Sequence, residues 1–317
     1  MVNAIGMFVL GLFLLLLGGD SVLKGASGLA QRLGLSPFAA GLLLVAFATS
    51  VPELAVNVYA FAVGQTDLAL GNAVGSNIVN IGLTLGMAAV FAPLLISMRL
   101  LAAEIVFILV ASGTVLLFGL DGMIARWEGG VLLAGFVAFL AFVFQRGREE
   151  NAEVQKELAA FAVTSTGLAQ NLIRLVFAAA LLFFGSRLVV ESAPVIGLAL
   201  GMGSLLTGLI IVAVGTALPE VVTAAIAARN GQGNVVAGHV LGACLFNLLF
   251  IVGGMAVLRP LPLPASFITL ELPAAMAFAL LLYPVLGGDL NISRREGGWL
   301  MFAFALWLGF ELFVAFG

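Results

Sequence analysis

The chain has 317 residues, of which 62% are hydrophobic and only 9% are charged, with a formal net charge of −3. Soluble domains carry about 25% charged residues, so this composition excludes a soluble protein and indicates an integral membrane protein. The sequence has no basic run of the kind that binds nucleic acid, and its single cysteine, Cys244, excludes an intramolecular disulfide framework.

The apolar segments predict about ten transmembrane helices, because a helix needs about 20 apolar residues to cross a bilayer. In chain order the predicted spans are 4–30, 36–63, 67–93, 100–119, 123–145, 168–196, 203–229, 234–257, 265–286 and 294–316. We predict an all-α polytopic membrane protein with a first five-helix repeat in 1–145 and a second in 168–317. The polar linker between them, 146–167, is expected to form a short helix that tethers the halves.

The two halves of the chain are related by an internal duplication. Sliding the sequence on itself by 167 residues aligns 41–86 with 208–253 without a gap, and the identical residues include a Pro-Glu pair that apolar composition alone would not match. The same offset pairs Glu104 with Glu271, which we expect near helix starts, with carboxylates that snorkel to the interface. Because each copy holds five spans, an odd number, the halves are expected to be inverted relative to each other, which is a transporter architecture.

The lysine and arginine residues of the loops predict the orientation. Nine of them lie on the side of the 146–167 linker, whereas only Arg126 and Arg259 lie on the opposite side. By the positive-inside rule the linker is cytoplasmic, and both termini are then outside.

A motif that recurs in both halves places a carboxylate inside an apolar span. It reads Ala-Thr-Ser-Val-Pro-Glu at 48–53 and Gly-Thr-Ala-Leu-Pro-Glu at 215–220, so that Glu53 and Glu220 occupy equivalent positions. Ionisable residues in membrane spans are costly and usually belong to a transport pathway. The proline before each glutamate lacks an N–H and breaks the helix, which frees backbone carbonyl groups beside the carboxylate.

These motifs supply a set of oxygen ligands. Calcium takes about six to eight oxygen atoms, and sodium accepts the same kind of ligand. The expected ligands are the side chains of Glu53, Glu220, Thr49 and Thr216. One calcium ion would neutralise the two carboxylates, and sodium would compete for the same cavity. The structural alternative is a pair of protonated glutamates that bridge helices.

The next span of each half carries a second motif, at 71–80 and at 238–247. Ser76 and Asn80 lie four residues apart and so fall on one helix face, from which their oxygen atoms can point at the same cavity. Asn247 is the counterpart of Asn80 in the second half. We expect these side chains to bind the ion or to orient its ligands.

Together the repeated Thr-Ser-x-Pro-Glu and Gly-Asn-x-x-Gly-Ser-Asn-x-x-Asn motifs resemble those of the cation/calcium exchanger superfamily, closest to the prokaryotic sodium/calcium exchangers. The resemblance implies ten helices in two inverted halves, with the second, third, seventh and eighth helices as the ion-binding core. The first and sixth helices are expected to slide against that core. It also implies the inner membrane of a prokaryotic cell, with inorganic cations and the lipid bilayer as partners, no obligate protein partner and no cofactor.

The same resemblance implies a ligand set for the transported ions. The glutamates and the threonine carbonyl groups would bind calcium, the asparagines would line the central position, the serines would help to form a sodium site, and the alanines would offer carbonyl groups. The implied metal ligands are Glu53, Glu220, Thr49, Thr216, Asn80, Asn247, Ser76, Ser50, Ala46 and Ala213.

The second half departs from the family pattern at four positions. Ala217 and Ala243 stand where the family usually has serine, and Cys244 and His239 stand where it usually has asparagine. An alanine side chain offers no oxygen ligand, so a sodium site in this half lacks two hydroxyl groups. Sodium is the expected coupling ion, and a proton is the alternative, since histidine titrates near physiological pH. The structural alternative for His239 is a buried, hydrogen-bonded packing residue without a role in coupling.

We expect a secondary active antiporter that exchanges calcium for sodium, with a proton-coupled antiporter of calcium or another divalent cation as the alternative. A passive cation channel could use the same oxygen cage, but deep paired carboxylates favour occlusion and exchange over conduction. An intramembrane serine protease is a remote alternative, because residues 25–28 match a nucleophile motif around Ser27, with His239 as the only histidine.

Other charged residues in the spans have a structural explanation. Asp20 and Lys24 lie four residues apart in the first span, and Arg187 and Glu191 hold the equivalent places in the sixth. We expect local ion pairs, which lower the cost of carrying charged side chains within a membrane span.

Overall fold

A computed structural model describes residues 1–33, 40, 41, 43, 44, 47, 49–96, 100–147, 149–160, 167–287 and 291–316. This part of the chain is almost entirely helical, as predicted. In chain order the helices are α1 (Val2–Arg32), α2 (Val51–Ala62), α3 (Thr66–Phe91), α4 (Leu100–Phe118), α5 (Arg126–Gly147), α6 (Ala152–Ala160), α7 (Leu168–Ala199), α8 (Ser204–Arg229), α9 (Gly233–Leu258), α10 (Leu272–Gly287) and α11 (Arg294–Phe316). Two short strands, β1 (Met123–Ile124) and β2 (Leu261–Pro262), pair in antiparallel orientation.

Eight helices in the described part of the chain are long and apolar enough to cross a membrane. They are α1, α3, α4, α5, α7, α8, α9 and α11, whereas α2 and α10 belong to shorter apolar helices. These apolar segments are expected to be helical, because backbone polar groups in lipid must find their hydrogen-bond partners within the same segment. The predicted span 36–63 is described without gaps only from residue 49 onward, so the count of ten helices stays a prediction.

The helices that carry the second motif lie at the centre of the molecule. Every residue of 68–79 in α3 and of 233–245 in α9 is buried. Glycine allows the close approach of a neighbouring helix here, since a Cβ atom at Gly75 would overlap the backbone of Leu209 in α8. The polar groups of α3 and α9 are therefore held away from lipid.

Helices α1 and α7 pack against each other beside the central helices. Gly11 and Gly185 face each other closely enough that a Cβ atom on either would lie 2.9 Å from the backbone oxygen of the other. The outer faces of both helices expose apolar side chains such as Val9 and Phe177, as expected for surfaces in contact with lipid.

Among the helices that are described without gaps, wide turns of π-helix occur in α3, α8 and α9 and before α10. They cover Asn80–Leu85 in α3, Thr207–Val212 in α8, Phe246–Val252 in α9 and Phe267–Glu271 before α10. π turns are rare and are often found at functional sites. Two of these turns begin at or next to the equivalent residues Asn80 and Asn247. The apolar periodicity of the sequence did not predict the π turns.

The two equivalent prolines lie in different local structures. Pro52 lies in the first turn of α2, directly after a turn at residues 49 and 50, so the helix is interrupted there. Pro219 lies inside α8, which continues as helix through it to Arg229, so the predicted helix break in the second half is wrong. A membrane helix tolerates such a proline because neighbouring groups can satisfy the carbonyl that loses its hydrogen bond.

The polar linker folds against the other helices. Helix α6 buries Val154 and Leu158 completely. Its Glu157 accepts hydrogen bonds from Asn234 Nδ2 at 2.7 Å and from the backbone nitrogen of Val235 at 3.3 Å, at the start of α9. The expected tether is thus also a docked helix, and residues 148 and 161–166 of the linker lie outside the described residues.

The charged pairs predicted in the first and sixth spans are confirmed. Lys24 Nζ lies 2.6 Å from Asp20 Oδ2 in α1, and Arg187 Nε lies 2.8 Å from Glu191 Oε1 in α7. All four side chains are about half exposed, and each pair satisfies its charges within one helix.

The expectation that Glu104 and Glu271 snorkel is wrong. Both are buried, with 3% and 4% of their surfaces exposed. Glu104 lies in the second turn of α4, and Glu271 ends the π turn before α10. Both positions are near helix starts, as expected, but the surrounding helices enclose them.

Two backbone pairings between the halves involve nearly equivalent positions. Leu94 forms an antiparallel bridge with Ile292, with both backbone hydrogen bonds made. Leu261, the equivalent of Leu94, pairs with Ile124 in the same way. One pairing therefore joins the end of α3 to the start of α11, and its counterpart joins the end of α9 to the start of α5.

Candidate cation-binding site

Glu53 lies in the first turn of α2 and is almost completely buried, with 2% of its surface exposed. Asn57 Nδ2 donates to its backbone carbonyl at 2.9 Å, which fixes the turn. Its carboxyl group is close enough to Thr216 for a side-chain hydrogen bond and close enough to Glu220 for electrostatic interaction. The carboxyl group of the first half thus faces α8 of the second half.

Glu220 lies in α8 and is joined to the first half through a histidine. Glu220 Oε2 lies 3.5 Å from His239 Nε2 in α9, and His239 Nδ1 lies 2.7 Å from Thr49 Oγ1. All three residues are buried or partly buried. Because Thr49 belongs to the turn before α2, these contacts link the Pro-Glu motif of one half to the carboxylate of the other.

Thr216 is the counterpart of Thr49, but its hydroxyl group has other partners. It can donate to the carbonyl oxygens of Val212 at 3.1 Å and Ala213 at 3.3 Å in its own helix. Because a hydroxyl group has one proton, it donates either to these carbonyls or to Glu53. The carbonyl of Ala213, an expected ion ligand, is therefore partly engaged within α8.

A second cluster joins α3 to α9 at equivalent positions. Asn77 Nδ2 donates to the carbonyl of Cys244 at 3.2 Å, and Asn247 Nδ2 donates to Asn77 Oδ1 at 3.0 Å. Asn77 and Cys244 are related by the 167-residue offset, so equivalent positions of the two motifs contact each other here. The cluster holds the amide of Asn247 in one orientation.

Several buried oxygen atoms of the two motifs have no hydrogen-bond partner within the described residues. Most buried polar atoms in native proteins are paired, so unpaired oxygens at this position are candidate ligands for a cation. They belong to the side chains of Ser50, Glu53, Asn72, Ser76, Asn80, Glu220 and Asn247. The set consists of hydroxyl, amide and carboxyl oxygens, which are the ligands preferred by calcium and sodium.

Two neighbouring cavities reach this region along α8. The first, of about 160 Å³, lies between α1, the turn before α2, and α8, and its lining includes Thr49, Thr216 and Glu220. The second, of about 250 Å³, shares Thr49 with the first and extends past His239 to Asn230 in the α8–α9 connection. The first cavity therefore reaches Glu220 and the second reaches the α8–α9 connection, with Thr49 lining both.

The structure brings together part of the predicted ligand set. Thr49, Thr216 and Glu220 line one cavity, and Glu53 contacts Thr216 from the other half. The amide of Asn247 contacts Asn77.

The structure does not bring the other predicted ligands into hydrogen-bonding contact with the carboxylates within the described residues. Ser50, Ser76 and Asn80 are buried, but no hydrogen bond within the described residues joins their side-chain oxygens to the carboxylates. Ala46 lies outside the described residues. The ligand roles of the set stay a prediction.

Sequence reasoning missed two contacts of this region. It did not place His239 between Thr49 and Glu220, and it gave no role to Asn77. A signal for Asn77 was present, because the 167-residue offset pairs it with Cys244 in the second motif. No comparable signal existed for His239, since its partners come from α8 and from the other half of the chain.

The family comparison gives a match to both halves of the chain. The family described as "Sodium/calcium exchanger protein" matches residues 3–145 and residues 171–313. Among curated relatives, the putative antiporter CaxA of Alkalimonas amylolytica is 35% identical over 303 residues, which cover 94% of this chain and 95% of the relative. The sodium/calcium exchanger MaX1 of Methanosarcina acetivorans is 28% identical, and the match covers 95% of this chain and 96% of the relative.

The fold is similar to that of a solved membrane protein. A structure of the sodium-calcium exchanger NCX_Mj superposes with a TM-score of 0.66 at 27% sequence identity, and the match covers 96% of this chain and 97% of that chain. The similarity therefore extends over both halves and includes the helices that carry Glu53 and Glu220.

Proposed function

The chain belongs to the sodium/calcium exchanger protein family, and we propose that it exchanges calcium for sodium across the membrane by alternating access to a site formed by Glu53 and Glu220. Members of this family are membrane antiporters for cations rather than enzymes, so the serine-protease alternative is set aside. The observation that carries the proposal is the convergence of two buried carboxyl groups from equivalent positions of the two halves.

Charge favours a divalent ion at this position. Two buried carboxylates close together are strongly unfavourable unless a counter-charge or a proton neutralises them. One calcium ion supplies two positive charges and uses the oxygen atoms of Glu53 and Glu220 with further hydroxyl, amide and carbonyl oxygens. Sodium uses the same ligands with one charge per ion, so the two cations compete for the cavity.

Alternating access requires two related halves around the site, and we take the halves to be inverted repeats of five helices. The pairings of Leu94 with Ile292 and of Leu261 with Ile124, which lie at nearly equivalent positions, support a pseudo-twofold relation between them. In such transporters the ion site lies near the midplane, at the repeat interface. Helices α1 and α7, which correspond to the first and sixth predicted spans, are the elements that would slide against the central helices.

We place the 146–167 linker in the cytoplasm of a prokaryotic cell and both termini outside. The excess of Lys and Arg on the linker side supports this orientation. Arg229 lies over the ring of Phe91, and both belong to the side with the linker, whereas Arg259 lies over Phe61 on the opposite side. The cavities that extend from Glu220 to Asn230 would then open toward the cytoplasm.

Neutralising either carboxylate tests the site. Two unit charges about 4 Å apart interact by about 4 kcal/mol at an effective dielectric constant of about 20, and a divalent ion interacts more strongly. Glu53→Gln and Glu220→Gln should therefore each weaken calcium binding by at least roughly a thousandfold. Calcium uptake into proteoliposomes loaded with sodium measures the effect. The control is Glu153→Gln in α6, an exposed position. Normal uptake by both site variants would refute the assignment.

The same vesicles distinguish the remaining functions. Uptake of calcium against its own gradient, driven by an outward sodium gradient, requires exchange and cannot be produced by a passive channel. Uptake that responds to an imposed pH gradient and not to sodium identifies the proton-coupled alternative. Equal uptake with sodium, potassium or choline inside the vesicles would contradict sodium exchange.

A further inference from the structure

We propose that His239 replaces a cation ligand in the second half of the site, so that monovalent-ion binding is confined to the first half. This inference rests on the proposed calcium/sodium exchange and specifies how many coupling ions the site can hold. It follows from a comparison of the two halves of this chain, which are equivalent in sequence position but differ in the atoms that they present.

The first half keeps a set of free oxygen atoms. Asn72, the equivalent of His239, is completely buried, and neither polar atom of its amide has a hydrogen-bond partner among the described residues. The hydroxyl groups of Ser50 and Ser76 are also buried and without a partner in this part of the chain. These three oxygens, with the Glu53 carboxylate, are ligands that a sodium ion accepts.

The second half offers none of these three oxygens. Ala217 and Ala243 stand at the positions equivalent to Ser50 and Ser76, and an imidazole stands at the position of Asn72. A sodium ion beside Glu220 would therefore lack two hydroxyl groups and one amide oxygen.

The contacts of His239 assign the ring nitrogens. If Nδ1 accepts the hydroxyl proton of Thr49 at 2.7 Å, the neutral ring carries its own proton on Nε2, which faces Glu220 Oε2 at 3.5 Å. The opposite tautomer would turn a nitrogen lone pair toward a carboxyl oxygen, which is repulsive. The favoured tautomer presents an N–H donor to the carboxylate, and an N–H donor repels a cation.

The neutral imidazole therefore occupies the place beside Glu220 that a second sodium ion would take, and it adds no positive charge there. After calcium leaves, Glu220 keeps the imidazole N–H group 3.5 Å from one of its oxygens, while a single sodium ion is bound on the first-half side near Glu53. The contact of His239 with Thr49 also holds the ring in place across the two halves. His239 is thus a specificity-determining residue that lowers the number of sodium ions per calcium.

Restoring the first-half residues in the second half tests this inference. The Hill coefficient of sodium for calcium efflux from proteoliposomes is measured at about pH 8, where free imidazole is neutral. The Hill coefficient should rise by about one in the combined variant His239→Asn, Ala217→Ser, Ala243→Ser, because the number of sites limits the Hill coefficient. The double variant Ala217→Ser, Ala243→Ser, which keeps the imidazole N–H toward Glu220, should keep the wild-type coefficient whatever its rate.

The reverse exchange provides an independent variant. Asn72→His places the donor in the first half and should lower sodium-driven efflux much more than calcium–calcium exchange. Calcium–calcium exchange needs no coupling ion, so its absence in the wild type would refute the proposed function itself. If calcium–calcium exchange is present, an unchanged Hill coefficient in the combined variant, or an equal loss of both activities in Asn72→His, overturns the role assigned to His239.

Discussion

At the scale of single residues, the site depends on buried polar groups whose partners come from the other half of the chain. Glu53 approaches Thr216 in α8, and His239 in α9 contacts Thr49 before α2. Asn77 holds Asn247 in the same manner. Because each of these groups is removed from water, its orientation is set by few contacts, and the loss of one leaves a partner without a hydrogen bond.

Asn77 should be required to orient Asn247. In Asn77→Ala the Asn247 Nδ2 group loses its acceptor and the Cys244 carbonyl loses its donor, and an unsatisfied buried group costs about 1–3 kcal/mol. We expect lower thermal stability and a weaker apparent affinity for calcium, measured by the concentration dependence of uptake. The control is Ser112→Ala, which removes a buried hydroxyl in α4 that has no partner within the described residues. Equal calcium affinity in both variants would contradict a role for Asn77 in the site.

At the scale of helices, close packing of α3 against α8 brings the two motifs together. Both helices carry π turns, in Asn80–Leu85 and Thr207–Val212, and glycine removes the side chains that would keep the helices apart. The backbone of Leu209 contacts Gly75, and the backbone of Leu68 contacts Gly208. The distance between the carboxylates on α2 and α8 depends on this contact, because α2 leads directly into α3.

A methyl group at this contact should destabilise the protein. The Cβ atom of Gly75→Ala would overlap the carbonyl oxygen of Leu209, which belongs to the backbone and cannot rotate away. Overpacking of a core typically costs about 1–3 kcal/mol, so the melting temperature in detergent should fall by several degrees and calcium uptake should decrease. Gly254→Ala in α9 is the matched control, since its Cβ atom meets no other group within 4 Å. If Gly75→Ala melts at the same temperature as the control, α3 and α8 can move apart at little cost, and the close contact does not stabilise the protein.

At the scale of the whole molecule, the sequence predicted the helical spans and the burial of both glutamates, because apolar composition and a repeated Pro-Glu pair are local signals. It did not predict the docking of α6 on α9 through Glu157 and Asn234, or the burial of Glu104. These features depend on which helices are neighbours in space, and apolar periodicity carries no such information. The helix through Pro219 was also missed, because tertiary packing compensates for the missing hydrogen bond.

The inverted arrangement that we propose for the halves predicts that equivalent positions face opposite sides of the membrane. Val63, between α2 and α3, and Asn230, between α8 and α9, are both exposed and are related by the 167-residue offset. A membrane-impermeant thiol reagent should label Val63→Cys only from outside the cell and Asn230→Cys only from the cytoplasm. The native Cys244 is completely buried, so the parent protein is the control and should show little labelling. Labelling of both positions from the same side would show that the halves are parallel, and the alternating-access arrangement proposed for Glu53 and Glu220 would then lose its symmetry basis.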